Sequence, residues 1–405
     1  MNCQQQENTA VSATYQRRVL HSAMMGLGLE GMDIMFFSFA LSAIKTAFDI
    51  TSSEAGLIAT VTNIGMLVGG LIFGLMADKY GRVRVFTYTI FLFAIATALT
   101  ACATNVYWVY ILRFLAGVGG GGEFGIGMAM VADVYAPKER GRASSMVSIG
   151  GQAGSVAAAL LAAYIIPWLG WRALFVIGIA PIFWIYFARK QLQETPVWLN
   201  ARKKSSIEFV SIKRLFSTPT TTFTTLILMV MASVQVAGYF GLMIWLPTIL
   251  QNQLGLTVTT SSLWMISTIF GMCVGMLVFG QIMDKLGEKY AFPCFLIAAS
   301  IAVFLYVYVS NEVALLLGGM VVGFFVNGMS AGYGALISNH YPIVIRSTAN
   351  NVIFNTGRAI GGLSPFAIGY FLDYYSMFVA MAFLATLYMI SLLMIILLPK
   401  NTIDM

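Results

Sequence analysis

The sequence predicts an all-α integral membrane protein with twelve transmembrane helices in two pseudo-symmetric six-helix halves. Three observations carry this prediction: the apolar composition, the placement of the basic residues and an internal repeat. Of the 405 residues, 59% are apolar and 10% are charged, whereas a soluble domain is about 25% charged. Since roughly 20 apolar residues form one spanning helix, this composition suffices for about twelve. It excludes an ordinary soluble enzyme, a disordered protein and a nucleic-acid-binding protein.

Cutting the chain at its charges and turn residues gives twelve apolar stretches. We expect each to be a helix, because lipid offers backbone groups no hydrogen-bond partners and the alternation typical of barrel strands is absent from the sequence. The predicted spans are 19–44, 55–77, 85–104, 107–132, 144–166, 172–188, 223–250, 260–283, 291–309, 313–337, 349–372 and 377–398.

The basic residues predict the orientation of these spans. With the N-terminus placed in the cytoplasm, 19 of the 23 Lys and Arg residues fall on the cytoplasmic side. Lys45 and Arg172 fall on the outer side, and Arg113 and Arg358 lie within spans. Because cytoplasmic loops of membrane proteins are enriched in Lys and Arg, we expect a plasma (inner) membrane protein with both termini in the cytoplasm. The net charge of +7 therefore requires no nucleic acid.

One long polar stretch and one repeat divide the chain. Segment 189–222 is predicted to be a cytoplasmic linker between an N-terminal six-helix half, 1–188, and a C-terminal half, 223–405. The two halves share a motif at an offset of 206 residues. Its copies are Gly74-Leu-Met-Ala-Asp78-Lys79-Tyr-Gly81-Arg82-Val-Arg84 and Gly280-Gln-Ile-Met-Asp284-Lys285-Leu-Gly287-Glu288-Lys289. Tyr135 and Arg140 match Tyr341 and Arg346 at the same offset.

The first copy of this motif resembles the loop 2–3 signature of the major facilitator superfamily, and the likeness covers the whole chain. Arg113-x-x-x-Gly117-x-Gly119 resembles that superfamily's fourth-span motif. Glu194 to Leu199 resembles the end of the sixth span in sugar porters, and Glu30-Gly31-Met32-Asp33 resembles the first-span motif of aromatic-acid/proton symporters. Niacin and sialic-acid carriers are similar in general layout. The resemblance implies a rocker-switch carrier that binds substrate between its halves near the midplane.

The loop motif predicts a conformational latch at the cytoplasmic gate. Asp78 can accept hydrogen bonds from a helix N-terminus, from Arg140 or from Arg142. The alternative is that these charges only set the topology. The predicted gating residues are Gly74, Asp78, Gly81, Arg82, Arg140, Arg142, Asp284 and Arg346.

Four charged residues at membrane depth are candidates for proton coupling: Glu30, Asp33, Arg113 and Glu123. A charge near the bilayer centre costs about 2.5–3.5 kcal/mol on insertion scales, so it is presumed functional. Glu30 and Asp33 are three residues apart, and two carboxylates this close cannot both ionise cheaply in a low dielectric. One is therefore expected to bind a proton near neutral pH. The alternative is that the acids are structural and are held by Arg113 or by backbone groups.

Arg358, in span eleven, is the candidate anion-binding residue, because a guanidinium stays charged and binds a carboxylate through two nitrogens. The alternative is a salt bridge to an acid on another span. Four mid-span polar residues can add hydrogen bonds to a substrate, although each singly is more typical of a bond between helices. These residues are Gln152, Tyr239, Asn327 and Asn355.

The sequence predicts neither a cofactor nor a metal site. The four cysteines are scattered, and His21 and His340 are far apart. The glycine run from Gly117 to Gly122 formally matches a dinucleotide motif, but it lies inside an apolar span and is expected to allow close helix packing. The phosphate-binding motif of ATPases is absent from the sequence, so ATP is not expected to drive the protein.

The function predicted from these features is a proton-coupled symporter that imports a small organic acid by alternating access. Its expected partners are a carboxylate substrate, protons and the lipid bilayer, and we expect a monomer without enzymatic activity. A carrier of a sugar or another metabolite is the nearest alternative, favoured by Glu194–Leu199. A drug/proton antiporter is disfavoured because span five has no proline before Pro167, and a sensor is disfavoured because the linker is too short for a signalling domain.

Overall fold

The structure is a computed structural model, and it describes most of the chain as α-helix. The described residues are 12–135, 137–180, 182–183, 194, 199, 212–309, 312–341 and 346–399. Most of the predicted linker and the second part of predicted span six lie outside them. Ten described segments are long and apolar enough to cross a membrane.

Among the described residues, the N-terminal half contains five helices, of which the last covers predicted span five and the start of predicted span six. They are α1 (Ala13–Phe48), α2 (Ser52–Tyr80), α3 (Arg82–Thr100), α4 (Val106–Val134) and α5 (Pro137–Ile177). Gly170 adopts a φ of 77° and ψ of 170° and interrupts α5. Because that backbone conformation strongly favours glycine, span five ends there and span six begins.

In the described part of the C-terminal half there are eight helices, because two of its spans are broken. They are α6 (Pro219–Leu254), α7 (Val258–Leu286), α8 (Glu288–Tyr306), α9 (Glu312–Gly328), α10 (Ser330–Asn339), α11 (Arg346–Gly361), α12 (Ser364–Tyr374) and α13 (Met377–Leu397). Span ten is α9 with α10. Span eleven is α11 with α12, interrupted at Gly362 and Leu363. With α5 counted as two spans, the helices match the twelve predicted spans.

The 206-residue repeat of the sequence recurs in the helix bounds. Helices α6, α7 and α8 begin and end 206 residues after α1, α2 and α3. Gly81 (φ 114°) and Gly287 (φ 81°) occupy the matching turns. Positive φ at both positions explains why each motif copy carries glycine there.

The helices pack in the same pattern in both halves. Helix α1 contacts α5 and α2 contacts α4, while α6 contacts α11 and α7 contacts α9. A Cβ at Gly117 or Gly121 would overlap the α2 backbone, and one at Gly271 or Gly275 would overlap the α9 backbone. The glycines of α4 therefore serve the close packing that the sequence predicts. Across the halves, α1 contacts α6, α2 contacts α12, and α5 contacts α7.

Candidate substrate and proton site

Asp33 on α1 and Arg113 on α4 form a closed ion pair inside the N-terminal half. Arg113 Nη1 donates to Asp33 Oδ1 at 3.0 Å, and Nη2 contacts Oδ2. Thr97 Oγ1, from α3, donates to the same Oδ1 at 2.7 Å. The guanidinium also lies 5.7 Å from the ring centroid of Phe175. Asp33 and Arg113 are 5% and 1% exposed, so the pair is almost entirely buried, and Arg113 also lines a small pocket between the halves.

Glu30 lies one turn before Asp33 on α1 and faces a different guanidinium. Arg358 Nη2, from α11, is 3.9 Å from Glu30 Oε1. The Arg358 guanidinium also lies 5.6 Å from the ring centroid of Phe124 on α4. The Arg358 side chain is 19% exposed. This pair therefore joins the two halves through one long contact, and its cation remains accessible.

Glu123 on α4 is fully buried, and neither of its carboxyl oxygens has a hydrogen-bond partner among the residues that the structure describes. Its neighbours along α4 face α1: a Cβ at Gly120 would lie 3.6 Å from Glu30 Cγ, and one at Gly127 would lie 3.5 Å from Ala23 Cβ. Because an unpaired buried charge is costly, this acid is a candidate proton carrier.

The four predicted polar substrate residues have different surroundings. Asn355 lies one turn before Arg358 on α11, and its Oδ1 would be 3.4 Å from a Cβ at Gly70 of α2. The structure thus places Asn355 between the halves, near the anion-binding candidate. Gln152 on α5 is half-buried, and its Oε1 has no hydrogen-bond partner among the described residues.

Asn327 makes contacts within the C-terminal half, whereas Tyr239 also interacts electrostatically with Glu30 of the N-terminal half. Asn327 Nδ2 lies 3.5 Å from Met272 Sδ, and its Oδ1 accepts from Gln235 Nε2 at 3.5 Å. These are the interhelical contacts of the alternative interpretation. Tyr239 packs edge-on against Phe240 at 5.2 Å between ring centroids.

Three further residues take part in these contacts and were not among the predicted ones: Thr97, Phe124 and Gln235. Threonine in a helix usually bonds to a carbonyl of the preceding turn, and Thr87 does so with Val83 O at 2.8 Å. Nothing in the sequence therefore distinguishes Thr97 from such a threonine. The polar amide of Gln235 in the middle of a span was a usable signal.

The end of the bundle where α2 meets α3 carries the basic loop motif, and we call it the basic end. Arg82 pairs there with Asp133 of α4 and donates to Ala129 O at 3.0 Å. The Glu194 carboxylate accepts from the backbone N–H groups of Val83 and Arg84 at 3.1 and 2.9 Å.

The structure gives fewer contacts for the other predicted gating residues. Asp284 is exposed near the end of α7, and a Cβ at Gly74 would meet open space. The side chains of Asp78, Arg140, Arg142 and Arg346 lie outside the described part of the chain. The latch that they are expected to form stays a prediction.

A family model for the Major Facilitator Superfamily matches residues 23–308 and 228–403. A putative metabolite transport protein from Haemophilus influenzae is 41% identical over 386 residues, covering 94% of this chain and 95% of the relative. The chain belongs to the Major Facilitator Superfamily. The sialic acid transporter NanX of Escherichia coli is 30% identical, with 94% and 93% of the two chains covered.

A solved structure has the same fold. The crystal structure of a D-xylose-proton symporter superposes with a TM-score of 0.82 at 16% identity, covering 96% of this chain and 99% of that one. At this identity the likeness concerns the fold alone. The predicted fold class, twelve helices in two halves, and the predicted superfamily are both confirmed. The protein is a multi-pass membrane transporter.

Proposed function

We propose that this transporter is a proton-coupled symporter that imports a small organic acid across the plasma membrane by alternating access. It works as a monomer, without a cofactor and without enzymatic chemistry. The observation that carries the proposal is the Glu30–Arg358 contact, because it places an accessible guanidinium and a buried acid between the two halves. The relatives named as metabolite and sialic acid transporters support a small metabolite, and an acid in particular.

Coupling follows from competition for one guanidinium. A substrate carboxylate that binds Arg358 through two nitrogens replaces Glu30, whose present contact is 3.9 Å long. Glu30 is 7% exposed, and a buried carboxylate without its cation favours the protonated form. Substrate and proton therefore bind together, and release of either one favours release of the other.

Asp33 and Arg113 have a different place in this scheme. Their contacts lie within one half and need not break when the halves move, so they hold α1 against α4 and keep Glu30 in position. Their predicted part in proton coupling remains a proposal of its own. Glu123, buried behind Glu30 on α4, is a second candidate for carrying the proton.

The arrangement of the halves supports an inward-facing state. Among the residues that the structure describes, the hydrogen bonds that join the halves cluster at the end opposite the basic end; one runs from Ser38 Oγ on α1 to Met243 O on α6, at 2.5 Å. A small pocket between the halves is lined mainly by apolar groups, which include Phe37 and Phe240. With the basic end in the cytoplasm, as the positive-inside rule predicts, the site opens to the cytoplasm.

A carrier of a neutral metabolite such as a sugar is the second candidate. The observation that favours it is the bond between Glu194 and the start of α3, since Glu194 begins the segment that resembles sugar porters. That contact concerns the gate and not the substrate. The two buried acids and Arg358 favour the organic acid.

Uptake into proteoliposomes tests the proposal. Purified protein is reconstituted and supplied with labelled sialic acid, aromatic acids and sugars under an imposed pH gradient. We expect one or more acids to accumulate in the compartment that is more alkaline, and unlabelled sugars not to compete. Accumulation of a sugar that acids do not inhibit, or accumulation that ignores the pH gradient, contradicts the proposal.

A further inference from the structure

Asp373, at the end of α12 in the C-terminal half, bonds to the start of α2 in the N-terminal half. Its carboxylate accepts from the backbone N–H of Ser52 at 2.8 Å and from that of Ser53 at 2.6 Å. It also accepts from Ser53 Oγ at 2.6 Å. The first N–H groups of a helix lack partners within the helix and favour an anion. Asp373 therefore satisfies donors that belong to the opposite half.

Helix α2 does not need this acid for its own capping. Thr51 already accepts from the Glu54 N–H, and Glu54 bonds back to the Thr51 N–H at 2.9 Å. This capping box is complete within one half. The bonds of Asp373 are additional, and their effect is to join the halves.

Lys45 and Trp245 extend the joint to α1 and α6. Lys45 Nζ donates to Ser52 Oγ at 2.5 Å and lies 5.8 Å from the Trp245 ring centroid. The buried Trp245 donates through Nε1 to Pro365 O on α12 at 2.8 Å. We call Lys45, Ser52, Ser53, Trp245 and Asp373 the clasp.

The backbones of α2 and α12 come into contact beside the clasp. A Cβ at Gly369 would overlap the carbonyl group of Ser52, and a Cβ at Gly56 would overlap that of Pro365. No side chain separates the two helices at these points. Opening this end of the transporter requires the helices to part, and parting breaks the bonds of Asp373 to Ser52 and Ser53 and the contact between Lys45 and Trp245.

The pseudo-symmetric joint between α5 and α7 is much simpler. There Thr259 Oγ1 donates to Ala163 O at 2.7 Å. The position 206 residues before Asp373 is Pro167, which can offer no carboxylate. The carboxylate of Asp373 is therefore present at only one of the two equivalent interfaces, and the internal repeat of the fold does not explain its presence.

We propose that Asp373 is a positioning residue for alternating access. Its bonds to the start of α2 stabilise the conformation in which the substrate site is closed at the end of the bundle opposite the basic end. These bonds break and reform in each transport cycle, so their strength sets the relative populations of the two conformations that open to opposite sides of the membrane. The inference does not depend on the identity of the substrate or on proton coupling.

Cysteine labelling in a cysteine-free version of the full chain tests the proposal. Thr62→Cys reports on the closed side, because Thr62 lines the pocket and is 8% exposed. Asn351→Cys reports on the open side, because Asn351 is exposed one turn before Asn355 on α11. A membrane-impermeant maleimide is applied to each side of the membrane in turn.

Asp373→Asn keeps one acceptor oxygen and loses the charge. We expect it to raise the labelling rate of Thr62→Cys about tenfold, since a hydrogen bond to a charged group is worth about that factor, and to lower labelling of Asn351→Cys. Ser53→Ala, which removes one donor, should shift both sites in the same direction by a smaller factor. Asp373→Glu keeps both oxygens and should restore much of the original pattern.

Thr259→Val is the matched control, because it removes the side-chain bond of the equivalent α5–α7 joint. We expect it to change labelling of either cysteine by a smaller factor than Asp373→Asn does, since a neutral hydrogen bond contributes about half as much net stability as one to a charged group. The proposal is overturned by unchanged labelling in Asp373→Asn and Ser53→Ala. It is also overturned when both cysteines become more reactive together, because that result means general loosening.

Discussion

Asp33 and Glu30 lie one turn apart on the same helix and each faces a guanidinium, but their ion pairs differ in every contact. Asp33 meets Arg113 through both oxygens and accepts a third bond from Thr97, all within the N-terminal half. Glu30 approaches Arg358 at 3.9 Å from across the interface between the halves. The first cation is 1% exposed, and the second is 19% exposed.

The difference separates a charge that supports the fold from a charge that is available for binding. Removing one partner of a buried pair typically costs about 3–5 kcal/mol, because the other charge is left uncompensated. A long, partly exposed contact contributes much less to stability, so another anion can replace Glu30 as the partner of Arg358. The same pair of residue types thus serves two purposes, and the surrounding contacts decide which.

The largest effect that this comparison predicts is on stability. Arg113→Ala leaves Asp33 buried without its cation, and we expect it to destabilise the protein by about 3–5 kcal/mol. Arg358→Ala should lower stability by less than Arg113→Ala does, because the contact of Arg358 with Glu30 is longer and its side chain is partly accessible. Thermal unfolding of both variants in detergent, followed by tryptophan fluorescence, measures the difference. Equal losses would remove the distinction between the two pairs.

For substrate affinity we expect the opposite order, with a larger loss in Arg358→Ala than in Arg113→Ala. Arg358→Ala removes a charge-assisted bond in a partly desolvated site, which costs roughly 2–5 kcal/mol, or about 30- to several-thousand-fold in affinity. Arg358→Lys keeps the charge but loses the two-nitrogen geometry, so it should also bind poorly. Equilibrium binding of the transported acid identified in the uptake experiment measures both variants.

The neutral amide analogue of that acid is the control for direct contact. It should bind wild type more weakly than the acid does, and Arg358→Ala should weaken it little further. An acid and an amide that lose equal affinity on mutation would assign Arg358 to bracing the helices.

Coupling of proton and substrate transport should depend on Glu30, the acid of the pair whose cation is accessible. Glu30→Gln removes the group that binds the proton, so accumulation driven by a pH gradient should be lost while exchange of labelled for unlabelled substrate continues. In wild type, protonation of Glu30 frees Arg358, so affinity should rise as pH falls; in Glu30→Gln this dependence should be flat. Accumulation and exchange assays across pH measure both effects.

Asp33→Asn is the matched test on the closed pair. The competition mechanism predicts that it keeps the pH dependence of binding. A variant that folds, exchanges substrate and fails to accumulate it would instead assign the proton to Asp33. An unchanged pH profile in both variants would assign it to Glu123.

The smallest predicted effect concerns the ring beneath the accessible cation. Phe124→Leu removes a cation–π contact worth about 0.5–1 kcal/mol at an exposed site, so affinity for the acid should fall about two- to fivefold. Phe175→Leu, beneath Arg113, removes the corresponding ring of the closed pair and should leave affinity unchanged. Binding isotherms of the two variants compare the pairs directly.

Much of the fold followed from the sequence, because lipid restricts the chain to helices and the repeat relates its halves. The breaks at Met329 and at Gly362–Leu363 were not predicted. Helix α11 is too polar to register as a span by hydropathy, since it carries Asn355 and Arg358 on one face. Its identification depended on cutting the chain at turn residues instead.

The site was predicted as a set of charges but not as pairs. Spacing of three residues places Glu30 and Asp33 on one side of α1, but three residues turn a helix through about 300°, so the side chains diverge by about 60°. That angle lets them face different guanidinium groups. The contact with Arg358 and the bonds of Asp373 both depend on how the halves dock, which local sequence does not encode.

The Glu30–Arg358 pair has an electrical consequence. The empty site holds one positive and one negative charge; a site loaded with a carboxylate and a protonated Glu30 also has no net charge. Moving one elementary charge through 100 mV is worth about 2.3 kcal/mol. Because neither the empty nor the loaded site has a net charge, the membrane potential does no net work when the site moves. Voltage should therefore neither speed nor slow import, and the pH difference alone should set how far the acid accumulates.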